Sequence, residues 1–354
     1  MLTSLAFLQT GADAFACVEG PLEPIACPHA GSPAFFAPDF ALAADRPWWF
    51  DIGRREPQRL SRDEWRARFP LDRTRGTGVR WCGPDETRFA RAFQTLKRHL
   101  DRGTLRKGVP VAVMMADLSP DDATAVFERA LARVADLPPQ LLAYGFFVPA
   151  SAAAPDGPEF MIGATPETLF EIDSRGQLTT MAVAGTRPAV AGPTSLATDP
   201  KEIDEHQSVV EDLVAQLGEW GRVHASGTEV RVFGQLEHLV ADIRLEADVR
   251  LEFEAVARKL HPTPALGVYP RNAAGAEWLA GIDPAGERKR FGAPFGLRLA
   301  SGGGRCLVAI RNLQYRDGRL ELWAGCGIVP QSRYGDEWQE VLDKMRAVRT
   351  LWDV

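Results

Sequence analysis

The sequence lacks any paired-cysteine signature. Its five cysteines, Cys17, Cys27, Cys82, Cys306 and Cys326, are odd in number and scattered, with no C-x-x-C spacing. That leaves no disulfide framework and no structural zinc motif, and it fits a reduced, cytoplasmic protein. There is no apolar run of membrane-spanning length, and the opening stretch "MLTSLAFLQTGADAF" has no positive n-region. Neither a membrane span nor a secretory leader is expected. A basic stripe is also missing, since the net charge is −6 with acids and bases interspersed. Nucleic acid and anionic lipid are therefore not expected as partners. Internal repeats and a nucleotide-binding glycine fingerprint are absent as well. What remains is 354 residues, 45% hydrophobic and 25% charged, enough chain for one large domain or two small ones.

Local patterning sharpens along the chain. Residues 1 to about 80 are rich in Pro, Ala and aromatics with little sustained periodicity, and read as short strands and loops. "DETRFARAFQTLKRHLDRG" then reads as an amphipathic helix with Asp85 as N-cap and Gly103 at its end. "GVPVAVMM" reads as a buried strand and "DDATAVFERALARVADL" as a second helix. Three hairpins follow, "LFEIDSRGQLTTMAV", "GLRLASGGGRCLVAI" and "NLQYRDGRLELWAG", each joining alternating apolar segments across a glycine-containing turn. Helical patterns cover about 200–221, 250–260, 272–281 and 335–352, and "SAAAPDGP" and "PAVAGPTSLATDP" are loops. Hairpins mixed with long helices predict an α+β fold with antiparallel sheet at its core.

Two helices concentrate acid. In "KEIDEHQSVVEDLVAQL", Ile203, Val210, Leu213, Val214 and Leu217 form the apolar stripe, and Glu205 borders it three residues after Glu202. A solvated acidic first turn, favoured by the helix dipole, is the ordinary alternative. In "GDEWQEVLDKMRAV", Glu337, Glu340 and Lys344 repeat the arrangement, and a surface Glu340–Lys344 pair at i,i+4 is its ordinary alternative. Two Glu-x-x-Glu helices could instead converge on one divalent cation; Mg²⁺ takes hard oxygen ligands, keeps several waters, and suits two direct carboxylates plus one from a substrate.

Ten stretches occur in a characteristic order: "GTLRKGVPV", "FMIGATPETLFEI", "AVAGTRP", "DPKEIDEHQSVV", "LEHLVADI", "LHPTPALGVYPRNAA", "RKRFGAPFG", "LVAIRNLQ", "LWAGCGIVPQS" and "EWQEVLDK". Through them the chain from about 85 to 354 resembles the chorismate-utilising enzymes, which include isochorismate synthase, salicylate synthase, anthranilate synthase component I and aminodeoxychorismate synthase. The resemblance implies a two-sheet antiparallel sandwich covered by helices. Residues 1–80 would be a divergent N-terminal part of the same fold and 81–354 the chorismate-binding catalytic region. It further implies that Glu205 and Glu340 ligate Mg²⁺, with Glu202 and Glu337 reaching it through water. Glu167 would be the general acid beside the C4 hydroxyl of the ring, and Lys107 the general base that activates water. Gly185 and Thr186 would offer donors to the ring carboxylate, near His238. Arg311, Gly325, Gly327 and Lys344 would hold the enolpyruvyl carboxylate, with Phe291 where the family often has Tyr.

Elementary chemistry is consistent with those roles. Chorismate carries two carboxylates, so an acidic protein needs concentrated positive charge at the site, which Arg311, Lys344 and the metal would supply. A lysine base needs a lowered pKa and a carboxylic general acid needs a raised one. Each residue also has an ordinary alternative. Lys107 could be a solvated lysine before a strand, Arg311 a structural ion-pair member, Cys326 a small core residue, and His206 and His261 hydrogen-bonded packing residues.

Within the family, Lys107 stands where ammonia-adding members usually carry Gln. Ala184 stands where aminodeoxychorismate synthases often have a nucleophilic lysine, and "HPTPAL" has the isochorismate-synthase form. Ala265 stands where salicylate synthases commonly place Thr. The first three favour water addition and Ala265 favours isochorismate as product; a monomer without a glutamine amidotransferase partner is expected. Salicylate synthesis, with pyruvate elimination, and chorismate binding without turnover are the alternatives. Val268, Pro294 and Phe291 depart from the usual pattern around the ring pocket.

Overall fold

The computed structural model describes residues 2–43, 48–53, 55–71, 78–150, 157–189, 196–234, 236–284 and 286–354. Residues 151–156 and 190–195, most of the two expected loops, lie outside the described residues.

All three expected hairpins form. Thr168–Ile172 pairs with Leu178–Pro188, Pro294–Arg298 with Gly304–Val308, and Asn312–Arg316 with Arg319–Gly325, each antiparallel. Longer-range pairing assembles them into two large sheets. The first runs in the order Gln58–Leu60, Ala14–Glu19, Leu5–Gly11, Leu142–Val148, Glu159–Thr165, Asn312–Arg316, Arg319–Gly325, Val111–Asp117. In the second, Gly221–Ala225 and Glu229–Phe233 flank Leu236–Ala247, which leads through Leu178–Pro188, Thr168–Ile172, Gly304–Val308 and Pro294–Arg298 to Ala34–Phe36, Trp49–Asp51 and Glu23–Ile25. The N-terminal 80 residues thus contribute strands to both sheets.

The alternation of side chains along each strand explains the layering. Along Leu5–Gly11, Leu5 and Phe7 face a core shared with helices, while Ala6 and Leu8 face Phe35, Phe295 and Leu307 of the other sheet. Both faces are buried, so the strand reads as the unbroken apolar run "LAFL" rather than an alternating one. The two sheets pack face to face as a sandwich, and helices cover their outer faces.

Seven helices are described: α1 (Arg62–Arg68), α2 (Glu86–Asp101), α3 (Pro120–Arg133), α4 (Pro200–Gly218), α5 (Phe253–Leu260), α6 (Ala273–Ile282) and α7 (Tyr334–Trp352). Asp85 caps α2 as its sequence requires, accepting from Arg88 N. Helix α1 falls where only strands and loops were expected. Its start is a capping box in which Ser61 and Glu64 satisfy each other's backbone N–H groups, and its buried Trp65 packs on Phe7 and Phe15 at ring distances of 5.0 and 4.8 Å. Helix α4 packs on the second sheet and α7 on Arg319–Gly325 of the first. No described helix is long and apolar enough to cross a membrane.

Candidate active site

Asp199 starts α4 by accepting hydrogen bonds from Lys201 N and Glu202 N, and Pro200 opens the first turn. The helix then turns an unexpected face inward. Ile203 is 43% exposed, whereas Glu202 and Glu205 are only 4% and 7% exposed. The expected stripe is therefore rotated at this end, and the first turn is not a solvated acidic one. Lysines make the inward acids tolerable. Lys107 Nζ lies 3.1 Å from Glu205 Oε1, and Lys201 Nζ lies 3.2 Å from Glu202 Oε1 and 2.7 Å from Glu337 Oε1 on α7. One turn along α7, Glu340 pairs with Lys344 at 2.7 Å, and Lys344 also donates to Gly325 O at 2.9 Å. The i,i+4 pair thus exists, but it is half-buried and faces this cluster rather than open solvent.

Four carboxylates against three ammonium groups leave one formal negative charge in excess inside the protein. The ionisation behaviour follows. Burial, and then the charge of Glu205, push the Glu202 carboxyl up to about 7. Burial and Glu340 likewise raise Glu337. Burial also acts on Glu205, but Lys107, Lys201 and Lys344 outweigh it and hold that carboxyl below its ordinary value. Among the described residues no three acidic, His or Cys side chains form a closed metal cage. The donor set still suits Mg²⁺, which is commonly held by one or two carboxylates and completes its shell with water and substrate oxygens. A divalent cation would also relieve the mutual repulsion that raises Glu202.

Two glycines make this packing possible. Gly185 has φ +69° and sits at the bulge where pairing skips from Ala184↔Leu239 to Thr186↔His238. A Cβ there would come 3.0 Å from Glu202 Oε2, and the bulge brings Thr186 N to that same oxygen at 3.3 Å. At Gly327 a Cβ would lie 2.0 Å from Glu205 Oε1 and 2.7 Å from Lys107 Cε, so only hydrogen fits between them.

The cluster borders a cavity lined by Glu167, Thr186, Glu205, His238, Ala265, Phe291, Arg311, Trp323, Gly325, Gly327 and Lys344, among others. A second lobe, reached past Thr186 and Lys344, carries Lys201, Glu202 and Glu340. Lys107 has no exposed surface, so it is not a solvated lysine. It reaches the site from the short strand Lys107–Gly108, which pairs with Val268–Tyr269. Glu167 follows the strand Glu159–Thr165, and its backbone N–H donates to Thr165 Oγ1 at 3.1 Å. Burial raises its carboxyl to about 7 despite the opposing charges of Lys107, Lys344 and Arg311. At neutral pH about half of it is protonated.

On the same cavity lining, Arg311 Nη2 lies 2.9 Å from His238 Nε2. An arginine can only donate, so His238 Nε2 accepts and its proton sits on Nδ1, 3.1 Å from Gly185 O and 3.2 Å from Thr186 Oγ1. Burial, with Arg311 and Lys344 nearby, holds His238 well below the ordinary histidine value and hence neutral. Arg311 is no ion-pair member among the described residues; burial lowers it to about 10, which still leaves it charged at neutral pH. Phe291 and Trp323, stacked with ring centroids 6.4 Å apart, form an apolar wall.

Residues 58–350 match the sequence profile of a family described as chorismate binding enzyme. The chain belongs to this family. Among curated relatives, it is 34% identical over 203 residues to the salicylate biosynthesis isochorismate synthase of Pseudomonas aeruginosa, a match covering 53% of this chain and 41% of that one. It is 27% identical over 319 residues to the isochorismate synthase EntC of Escherichia coli K12, covering 86% and 75%. Two solved structures share the fold. DhbC of Bacillus anthracis, described as a 2,3-dihydroxybenzoate-specific isochorismate synthase, superposes with a TM-score of 0.79 at 19% identity over 99% of this chain and 96% of that one. The menaquinone-specific MenF of Escherichia coli gives 0.76 at 20% identity over 99% and 89%.

In this chorismate binding enzyme every residue to which the resemblance gives a catalytic, substrate or metal role lies in the cavity, in its second lobe, or against a residue that does. Val268 and Pro294 line neither lobe. Cys326 lines the cavity, but burial pushes its thiol well above the ordinary value, so it is no nucleophile at neutral pH. His261 is a packing residue bonded to Phe40 O at 2.7 Å, whereas neither ring nitrogen of His206 has a partner among the described residues. Lys201, in the "DPKEIDEHQSVV" stretch, is a member of the cluster that no sequence pattern marks. Its place between Glu202 and Glu337 depends on how α4 and α7 pack, which no local pattern records.

Proposed function

We propose that this chorismate binding enzyme is a Mg²⁺-dependent isochorismate synthase, which adds water at C2 of chorismate and expels the C4 hydroxyl. The observation that carries this reading is a buried carboxyl on the cavity lining, Glu167, raised to about 7 although the wholly buried Lys107, 3.1 Å from Glu205 of the same lining, is near enough for its charge to oppose that rise. Lys107 takes a proton from the attacking water. The ring double bonds shift, and Glu167 protonates the departing C4 hydroxyl. A carboxyl that titrates near neutrality is half in its acid form at working pH, the state this step needs.

Arg311 and Lys344 receive the enolpyruvyl carboxylate at the glycine-lined end of the cavity, and Phe291 with Trp323 covers the ring. Glu205 and Glu340 are the proposed metal ligands, with Glu202 and Glu337 behind them. A metal held there would supply Lewis-acid polarisation that would help the allylic hydroxyl leave. Thr186, whose backbone N–H is turned to Glu202 here, lies where that carboxylate and the cradle meet.

Ala265 lines the cavity without a hydroxyl, so nothing at that position holds the enolpyruvyl group over C2 for elimination, and isochorismate rather than salicylate is the product. No ammonia-supplying partner is involved. The test is purified enzyme with chorismate and Mg²⁺, products resolved by chromatography. Isochorismate is expected, formed reversibly and with little pyruvate; salicylate with stoichiometric pyruvate, or dependence on ammonia, would overturn the assignment.

A further inference from the structure

Arg311 has φ +55°. For an arginine this left-handed backbone is disfavoured, because Cβ crowds the following carbonyl, and it persists only where the surroundings over-determine it. The surroundings here are specific. Arg311 O accepts from Ala164 N and from the indole Nε1 of Trp352, both at 3.3 Å. The preceding carbonyl, Ile310 O, accepts from Tyr144 Oη at 2.8 Å. Asn312 Nδ2 donates to Tyr144 Oη at 3.0 Å and to Ala309 O at 2.7 Å. Every carbonyl from 309 to 311 is thereby engaged, by three side chains with no exposed surface.

The chain makes room for this arrangement. A Cβ on Gly163 would stand 2.4 Å from Tyr144 Cζ and Oη and 2.8 Å from Asn312 Cβ, so a glycine in the "FMIGATPE" stretch is what admits the tyrosine. Trp352 is the last residue of α7, the helix that carries Glu337, Glu340 and Lys344. One helix therefore fixes both the acidic cradle and the backbone from which Arg311 extends to His238.

We propose that Trp352 and Tyr144 are positioning residues. They touch no substrate, but they lock Arg311 in its left-handed conformation and so aim its guanidinium at the substrate carboxylate. The proposal rests on the reading that Arg311 binds a carboxylate of chorismate. Because that contact would form in the ground state and transition state alike, its loss raises KM and leaves kcat little changed.

The test compares wild type, Trp352→Phe, Tyr144→Phe, Arg311→Lys and the double variant Trp352→Phe/Arg311→Lys, all full-length, with Mg²⁺ and chorismate. Trp352→Phe keeps a large aromatic ring and loses only the N–H donor and part of the volume, and Tyr144→Phe is nearly isosteric; far-UV circular dichroism confirms that each variant is folded. Each should raise KM about tenfold with kcat within about twofold of wild type. Added to Arg311→Lys, Trp352→Phe should raise KM by less than about twofold, because the residue it acts through is already gone. A full additive increase, or an unchanged KM in both single variants, overturns the proposal. A crystal structure of Trp352→Phe reads the same point without substrate: residue 311 should leave the left-handed region, and an undisturbed φ overturns the lock. If the wild type fails to turn over chorismate, the functional reading fails while this backbone readout still decides the lock.

Discussion

Replacing Glu167 by Gln holds that side chain permanently neutral, so the pH-dependent stability that Glu167 supplies can be read as a difference between two proteins. The carboxyl is 4% exposed, and burial raises it from 4.5 to about 7 against the pull of Lys107, Lys344 and Arg311. A folded-state value above the unfolded one means that the folded protein binds the proton more tightly. The resulting stability is fully present below pH about 4.5 and is lost as pH rises through about 7. At about 1.4 kcal/mol per pH unit, wild type should lose about 3 kcal/mol relative to Glu167→Gln between pH 4.5 and pH 8. Urea denaturation of the metal-free proteins across that range measures it, and subtraction removes what Glu202 and other shared groups contribute. A difference that stays flat within about 1 kcal/mol, or wild type gaining on the variant as pH rises, would refute the buried-acid reasoning. The same protonation sets activity: kcat/KM should fall about tenfold per pH unit above about 7, and Glu167→Gln should lower kcat at least about 10²-fold.

Gly327→Ala places a methyl group 2.0 Å from Glu205 Oε1 and 2.7 Å from Lys107 Cε. Turnover should fall about 10²-fold and stability by about 1–3 kcal/mol, and near-normal kcat would mean that Glu205 need not lie so close. Glu205→Gln or Glu340→Gln should abolish turnover in folded protein, and EDTA should do the same reversibly on adding Mg²⁺; full activity of both variants without metal would remove the cradle. Lys107→Ala should lower kcat at least about 10²-fold. Because it removes the nearest of the three ammonium groups that act on buried Glu205, it should also lower stability, by at most about 3–5 kcal/mol, and an unchanged melting temperature would show that the pair is not what holds Glu205 buried. Ala265→Thr should raise pyruvate release from chorismate, measured by a coupled dehydrogenase assay, and no increase would take Ala265 out of product choice.

Much of the fold is legible because it is local. Asp85 and Gly103 bracket α2, and the glycine-containing turns mark hairpins whose strands do pair. Helix α1 was legible too, in the Ser61–Glu64 capping box, but aromatic-rich surroundings without periodicity hide it. The order of strands is different. Leu5–Gly11 lies beside Leu142–Val148 through side-chain packing contributed by distant segments, and no window of sequence contains that pairing. The same limit applies at the site. The spacing of Glu202 and Glu205 predicts a shared helix face, yet whether that face meets solvent or lysine depends on Lys107, nearly a hundred positions away. A solvated lysine before a strand could change without structural cost; the buried ion pair of Lys107 with Glu205 makes that cost real.

The most direct test of water addition at C2 is to run the reaction in ¹⁸O-labelled water with Mg²⁺ and to weigh the product. The account requires isochorismate carrying one solvent-derived oxygen, at the new C2 hydroxyl, with the original C4 oxygen released. Isochorismate without label would mean that the C4 hydroxyl is transferred rather than replaced, which contradicts the roles given to Lys107 and Glu167.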